Sequence, residues 1–151
     1  MSTQEKLGEL YQSIQYIDQL IAQLQTNLEA LSREIMVIKQ SKDSVDAVAK
    51  NSEDLMLPLD AKSYSLVKAT KVDNEKVLVR VSTRYYVPLP PTEAIKLLDE
   101  EEKRLLKASD EVKQRISELT AERTRLQNSL SAILQKPQEP SKSTDNPPAG
   151  Q

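Results

Sequence analysis

The side chains best placed to do chemistry in this sequence are Asp99-Glu100-Glu101-Glu102. Four consecutive carboxylates could ligate a hard cation or act as a general acid and base. The plainer reading is a solvated face near the start of a helix, where the dipole favours negative charge. Lys42 and Glu102 occupy neighbouring positions along an apolar seam and would either pair across it or snorkel separately to solvent. Tyr64, Tyr85 and Tyr86 read as sheet-packing or interface residues, not as stacking platforms for a ligand. The sequence contains no His and no Cys, which removes the commonest general base, the thiol nucleophile and most transition-metal sites. Its two glycines, Gly8 and Gly150, cannot form a phosphate-cradling loop. We therefore expect no enzyme, no cofactor and no metal.

Composition limits the partners. Only 38% of the residues are hydrophobic and 3% aromatic, against 29% charged, which favours an elongated, solvated form over a thick core. The formal net charge is −2 with no long basic run, so no nucleic acid is expected. The first residues are polar, and no apolar run approaches the roughly 18 residues of a membrane span. The expectation is a soluble cytoplasmic chain with no membrane partner.

The elements that position these residues fall into four stretches: 2–50, 51–91, 92–136 and 137–151. In the first, Ser2 and Glu5 have capping-box spacing. Leu7, Leu10, Ile14, Ile17, Ile21, Leu24, Leu28, Leu31, Ile35 and Ile38 then recur at alternating intervals of three and four, the signature of a coiled coil. In the third stretch Thr92 is the expected N-cap and Glu93 lies near the positive end of the dipole. Leu98, Leu105, Val112, Leu119, Leu126 and Ile133 share one heptad position, with Ile95, Glu102, Ser109, Ile116, Arg123 and Leu130 at the other. Folded antiparallel, the two helices match in layers whose residue numbers add to 140, as for Leu7 with Ile133 and Ile35 with Leu105. The mixed layers are Ile17 with Arg123, Leu31 with Ser109, Ile38 with Glu102, and Lys42 with Leu98. Each arm would be about 65 Å long, with both termini at the end away from the insert.

Between the helices the period changes to two. Val77, Val79 and Val81 alternate with Leu78 and Arg80. Asp73-Asn74-Glu75 has turn chemistry, and a hairpin is expected across it. The last stretch, from Pro137, is rich in Pro, Ser, Lys, Asp and Asn, has little to bury, and is expected to be disordered.

Leu55-Met56-Leu57-Pro58-Leu59, Lys76-Val77-Leu78-Val79-Arg80-Val81 and Tyr85-Tyr86-Val87-Pro88, set between two heptad helices, make the chain resemble the prefoldin family, in particular its alpha class. The resemblance implies an α+β fold: a long antiparallel two-helix coiled coil with a small four-strand, two-hairpin β insert. It implies assembly of two alpha with four beta-class subunits through a β-barrel body. It further implies capture of unfolded polypeptides at the arm tips, and their ATP-independent transfer to a group II chaperonin. Ser82-Thr83-Arg84 stands where family members usually have a glycine-bracketed turn, so any position there needing positive φ would be occupied at a cost.

Two surfaces follow. A sheet this small cannot be covered by the ends of two helices, and isolated hairpins with open edges are marginal in water. Leu66, Val77, Leu78, Val79, Val81, Tyr85 and Val87 are therefore the expected oligomerisation residues. At the arm tip Leu7, Leu10, Tyr11 and Ile14 face Leu126, Leu130, Ile133 and Leu134, and these are the expected client contacts. Tyr11 and Leu134 lie outside the strict seam. The competing reading is a structural or adaptor coiled coil without holdase activity.

Overall fold

The computed structural model describes residues 2–50, 54–70 and 73–135. The expected disorder of 137–151 lies outside them. The order is α1 (Thr3–Lys50), β1 (Leu55–Pro58), β2 (Leu66–Ala69), β3 (Val77–Arg80), β4 (Tyr86–Leu89) and α2 (Pro91–Gln135). The expected α+β fold of two long helices around a two-hairpin insert is what is observed.

The start of α1 is a complete capping box. The Glu5 amide donates to Ser2 Oγ at 3.1 Å, and the Ser2 amide donates to Glu5 Oε2 at 2.9 Å. The start of α2 differs from expectation. Thr92 is not the N-cap, because the helix already begins at Pro91 and the Ala94 amide donates to the Pro90 carbonyl at 2.9 Å. Proline suits the first helical position: its φ is preset, and the amide it lacks would have had no intrahelical partner. Glu93 still lies in the first turn, at the positive end of the dipole.

The insert forms two separate two-stranded antiparallel sheets, β1 with β2 and β3 with β4. Leu55 pairs with Ala69 and Pro58 with Leu66 in the first; Val77 pairs with Leu89 and Arg80 with Tyr86 in the second. The hairpin expected across Asp73-Asn74-Glu75 is not formed. Asp73 does organise a local turn, its Oδ1 accepting from the Glu75 amide at 2.9 Å, but that turn leads into β3 and does not pair β3 with β2. A side-chain-closed turn of this kind bends the chain without fixing what its flanks pair with.

The turn that closes the first hairpin is built on Asp60. Its Oδ1 accepts from the amides of Lys62 and Tyr64 at 2.9 and 3.2 Å, and its Oδ2 from the Ser65 amide at 3.1 Å. This network holds Ser63 at φ 59°, the one non-glycine residue at positive φ among those described. The cost expected at Ser82-Thr83-Arg84 therefore falls in the other hairpin. The second hairpin closes without it, through Val81 N–H to the Tyr85 carbonyl at 3.0 Å and Tyr85 N–H to the Ser82 carbonyl at 3.4 Å.

The chain divides into two compact units. One comprises Met1–Gln23 with Ile116–Gln151, the other Leu24–Arg115. In the terminal unit Ile14, Ile17, Leu119 and Leu130 are buried, and Arg123 of α2 pairs with Asp18 of α1. In the insert-bearing unit Ile35, Val79, Ala94, Leu105 and Ser109 are buried. There Glu34 lies near Arg104 while Lys42 pairs with Asp99, so α1 and α2 run antiparallel. Each crossing pair fits the alignment expected from the heptads.

Backbone donors to the Asp60 carboxylate, the Tyr64 amide foremost, hold that group below the ordinary value of 3.8. A carboxyl pKa lowered in this way stabilises the turn at every pH above 3.8, and the stabilisation is lost as pH falls through the lower folded value. Asp60→Ala should speed amide exchange at Lys62, Tyr64 and Ser65 by about tenfold. In the parent chain the protection of the same amides, relative to their intrinsic exchange at each pH, should fall as the pH drops through the lowered Asp60 value. Unchanged exchange in the variant would remove Asp60 from this role.

Candidate assembly and client-binding surfaces

The strands of the insert have almost no buried face. All of β2 but its last residue is exposed, as is all of β4 but its last. A strand half-covered by its own chain shows one buried and one open face; here both faces are open nearly everywhere. Of the residues expected to mediate assembly, Leu66, Leu78, Val81, Tyr85 and Val87 are exposed, Leu78 by 69%, and Val77 is half-buried.

Val79 is different. It is 7% exposed and, with Ile38, Val45, Leu97 and Leu98, lines a groove between the β3–β4 hairpin and the two helices. It holds the hairpin on the helices and has no surface to offer another chain while it does so. Sequence reasoning grouped it with Val77 and Val81 because the period of two cannot say how far along a strand the helices reach. The exposed Met56, Leu57, Leu59 and Val67 were not assigned to the assembly surface beforehand. Their signal was present in Leu55-Met56-Leu57-Pro58-Leu59, too apolar a run for a hairpin left in water. Tyr64, 84% exposed at the Asp60 turn, belongs with them.

In the terminal unit the expected client contacts separate into two groups. Ile14 and Leu130 are buried, Leu130 to 3% exposure, and form the seam itself. Leu7, Leu10, Leu126 and Ile133 are half-buried. Tyr11 and Leu134, the two placed outside the strict seam, are 51% and 60% exposed. Tyr16, not singled out from the sequence, is equally open. Its signal was an aromatic ring beside Gln12, Ser13 and Gln19 on one helical face.

Three of the four carboxylates in the acidic run, Asp99, Glu101 and Glu102, are engaged in ion pairs. Asp99 Oδ1 receives the Lys42 ammonium at 2.6 Å, and the buried Glu102 Oε2 faces the same ammonium. These carboxylates, Asp99 first and Glu102 second, raise the Lys42 pKa above 10.5 against the opposing effect of partial burial. Glu101 pairs with Arg104 one turn along, which lowers the carboxyl. Of the two readings of Lys42 and Glu102, pairing is the one realised. Among the described residues no cluster of acids is arranged to hold a metal, and no helix is long and apolar enough to cross a membrane.

The chemistry available is burial of apolar area and completion of sheet edges. A family model described as Prefoldin subunit matches residues 17–136. The alpha subunit of prefoldin from Metallosphaera sedula is 26% identical over 113 residues, covering 75% of this chain and 78% of its own. That from Saccharolobus solfataricus is 24% identical over 129 residues, covering 85% and 88%. Among solved structures, a filamentous PFD from Methanocaldococcus jannaschii, determined by cryo-EM, superposes with a TM-score of 0.67 at 22% identity. It covers 79% of this chain and 98% of that one, and the likeness is one of fold. With the family model spanning most of the two helices and the whole insert, the chain belongs to the prefoldin family of chaperones.

Proposed function

We propose that this chain is the alpha-class subunit of a cytoplasmic holdase of two alpha and four beta-class subunits. The complex captures unfolded polypeptides at its coil ends and passes them to a group II chaperonin without ATP. The observation that carries the reading is the insert: two hairpins with open edges and both faces apolar, on a chain of the prefoldin family. The edges and the exposed Leu66, Leu78, Val81, Tyr85, Val87 and half-buried Val77 are completed by neighbouring subunits in a β-barrel body. Client contact falls to the terminal unit. Tyr11 and Leu134 meet the client first, and Leu7, Leu10, Leu126 and Ile133 add area as the last turns fray. Ile14 and Leu130 support the coil from within. Each fully buried Leu or Ile contributes roughly 1.5–3 kcal/mol, and mobile, partial contact less. One arm therefore binds weakly, and several on one body bind usefully through avidity.

The test is suppression of client aggregation by the reconstituted complex. Tyr11→Ser with Leu134→Ser should impair suppression at unchanged assembled mass and helix content. Raising the salt concentration should alter capture little, because the contact is apolar. Leu130→Ser should act otherwise, destabilising the arm by about 3 kcal/mol in thermal unfolding before any loss of client contact. Full activity in the correctly assembled Tyr11/Leu134 variant would remove these side chains from the client surface. An assembled parent complex that suppresses no aggregation would favour the adaptor reading.

The body has its own test. Leu78→Asp should abolish assembly with helix content intact, as an exposed interface residue requires. Val79→Asp should instead release the hairpin from the helices, seen as faster amide exchange through β3 and β4 in the unassembled chain. Normal assembly of Leu78→Asp would take that face out of the body.

A further inference from the structure

The apolar seam has an ambiguity that its charges resolve. A slip of one heptad between α1 and α2 puts Ile35 opposite Val112 or Leu98 instead of Leu105, and Ile14 opposite Leu119 or Ile133 instead of Leu126. Leucine-like layers pair through most of the seam in every case, and only end layers such as Leu7 with Ile133 are lost in a slip, so within the seam the hydrophobic pattern does not choose among the three alignments. The seam charges do. In the insert-bearing unit Lys42 meets Asp99 and Glu102, with Lys42 23% and Glu102 13% exposed. After a slip in one direction it would meet Leu105, Leu106 and Ser109; in the other, Pro91, Thr92 and Ile95. Neither set contains a carboxylate. In the terminal unit Arg123 meets Asp18 beside Ile17. Slipped, it would meet Leu10 and Tyr11 or Leu24 and Gln25, again with no carboxylate.

We propose that Lys42 with Asp99 and Glu102, and independently Arg123 with Asp18, are register locks that select one alignment of the two helices. A partly buried ion pair seldom stabilises more than well-packed apolar residues of similar size would, whereas stranding one of its charges is costly. That cost is largest for Lys42 with Glu102 and smaller for Arg123 with Asp18, whose side chains are 41% and 47% exposed, so the second lock is the weaker one. Such pairs suit discrimination better than stabilisation, and polar seam residues set register in other coiled coils. The inference concerns the helices alone and stands whether or not the complex is a holdase.

The chain has no cysteine, so introduced pairs report register directly. Ile35→Cys is combined in the full chain with Leu105→Cys for the observed alignment, and with Val112→Cys or Leu98→Cys for the two slips. Oxidation is followed by the intramolecular band on a non-reducing gel, since disulfides form only where the chains approach closely. With the charges intact, only the Ile35/Leu105 pair should close. In the Lys42→Leu, Arg123→Leu background, one slipped pair should gain yield on the order of tenfold at equal or higher helix content. Exchanging charges with Lys42→Glu, Asp99→Lys and Glu102→Lys, with Arg123 retained, should restore exclusive closure of the observed pair. Exclusive closure of the Ile35/Leu105 pair in the leucine background would overturn the proposal. So would slipped closure with all charges in place, or failure of the exchanged set to restore register.

Discussion

A two-stranded antiparallel hairpin satisfies the inner backbone groups of its strands and leaves two outer rows of N–H and C=O without sheet partners. This chain carries two such hairpins and does not pair them with each other. Val79 alone among the strand residues is buried. The chain thus specifies hairpin geometry through its turns, Asp60 in one and the Ser82–Tyr85 closure in the other, while leaving the sheet incomplete. On the proposed account this incompleteness is the basis of assembly: what would be an aggregation hazard in a free-standing domain is an obligatory binding surface in a subunit.

The helices face the opposite situation. A two-helix coil has little interior, and even its seam residues are mostly half-covered. What it buries is buried by its own two strands of chain, so the arm can be stable without a partner. The price is an apolar surface at the terminal turns, where Tyr11, Tyr16 and Leu134 remain open. An unfolded polypeptide offers scattered apolar side chains and no fixed shape. On the proposed account, a narrow coil end with a few exposed rings and branched chains suits that target better than a formed pocket would.

Much of this was legible in the sequence because it depends on near neighbours. The three-four alternation from Leu7 to Ile38, the Ser2–Glu5 box and the alternating Val77 and Val79 are local patterns, and each has its expected structural form, although the strand stops at Arg80, one residue short of Val81. The failures share a different cause. Asp60 and Asp73 both carry turn chemistry, and nothing local says that one closes a hairpin while the other only launches a strand. Thr92 has the right chemistry for an N-cap, but Pro91 had already set the helical φ one residue earlier. Burial within the strands was the least legible feature. It depends on where the helices stop supporting the hairpin.

The account depends on the insert being completed by other subunits, and mass in solution tests this most directly. The chain alone should show no single defined oligomer by light scattering. On mixing with a beta-class prefoldin subunit it should give one discrete complex with the mass of two alpha and four beta chains. A stable, monodisperse monomer that is unchanged by the partner would contradict the account.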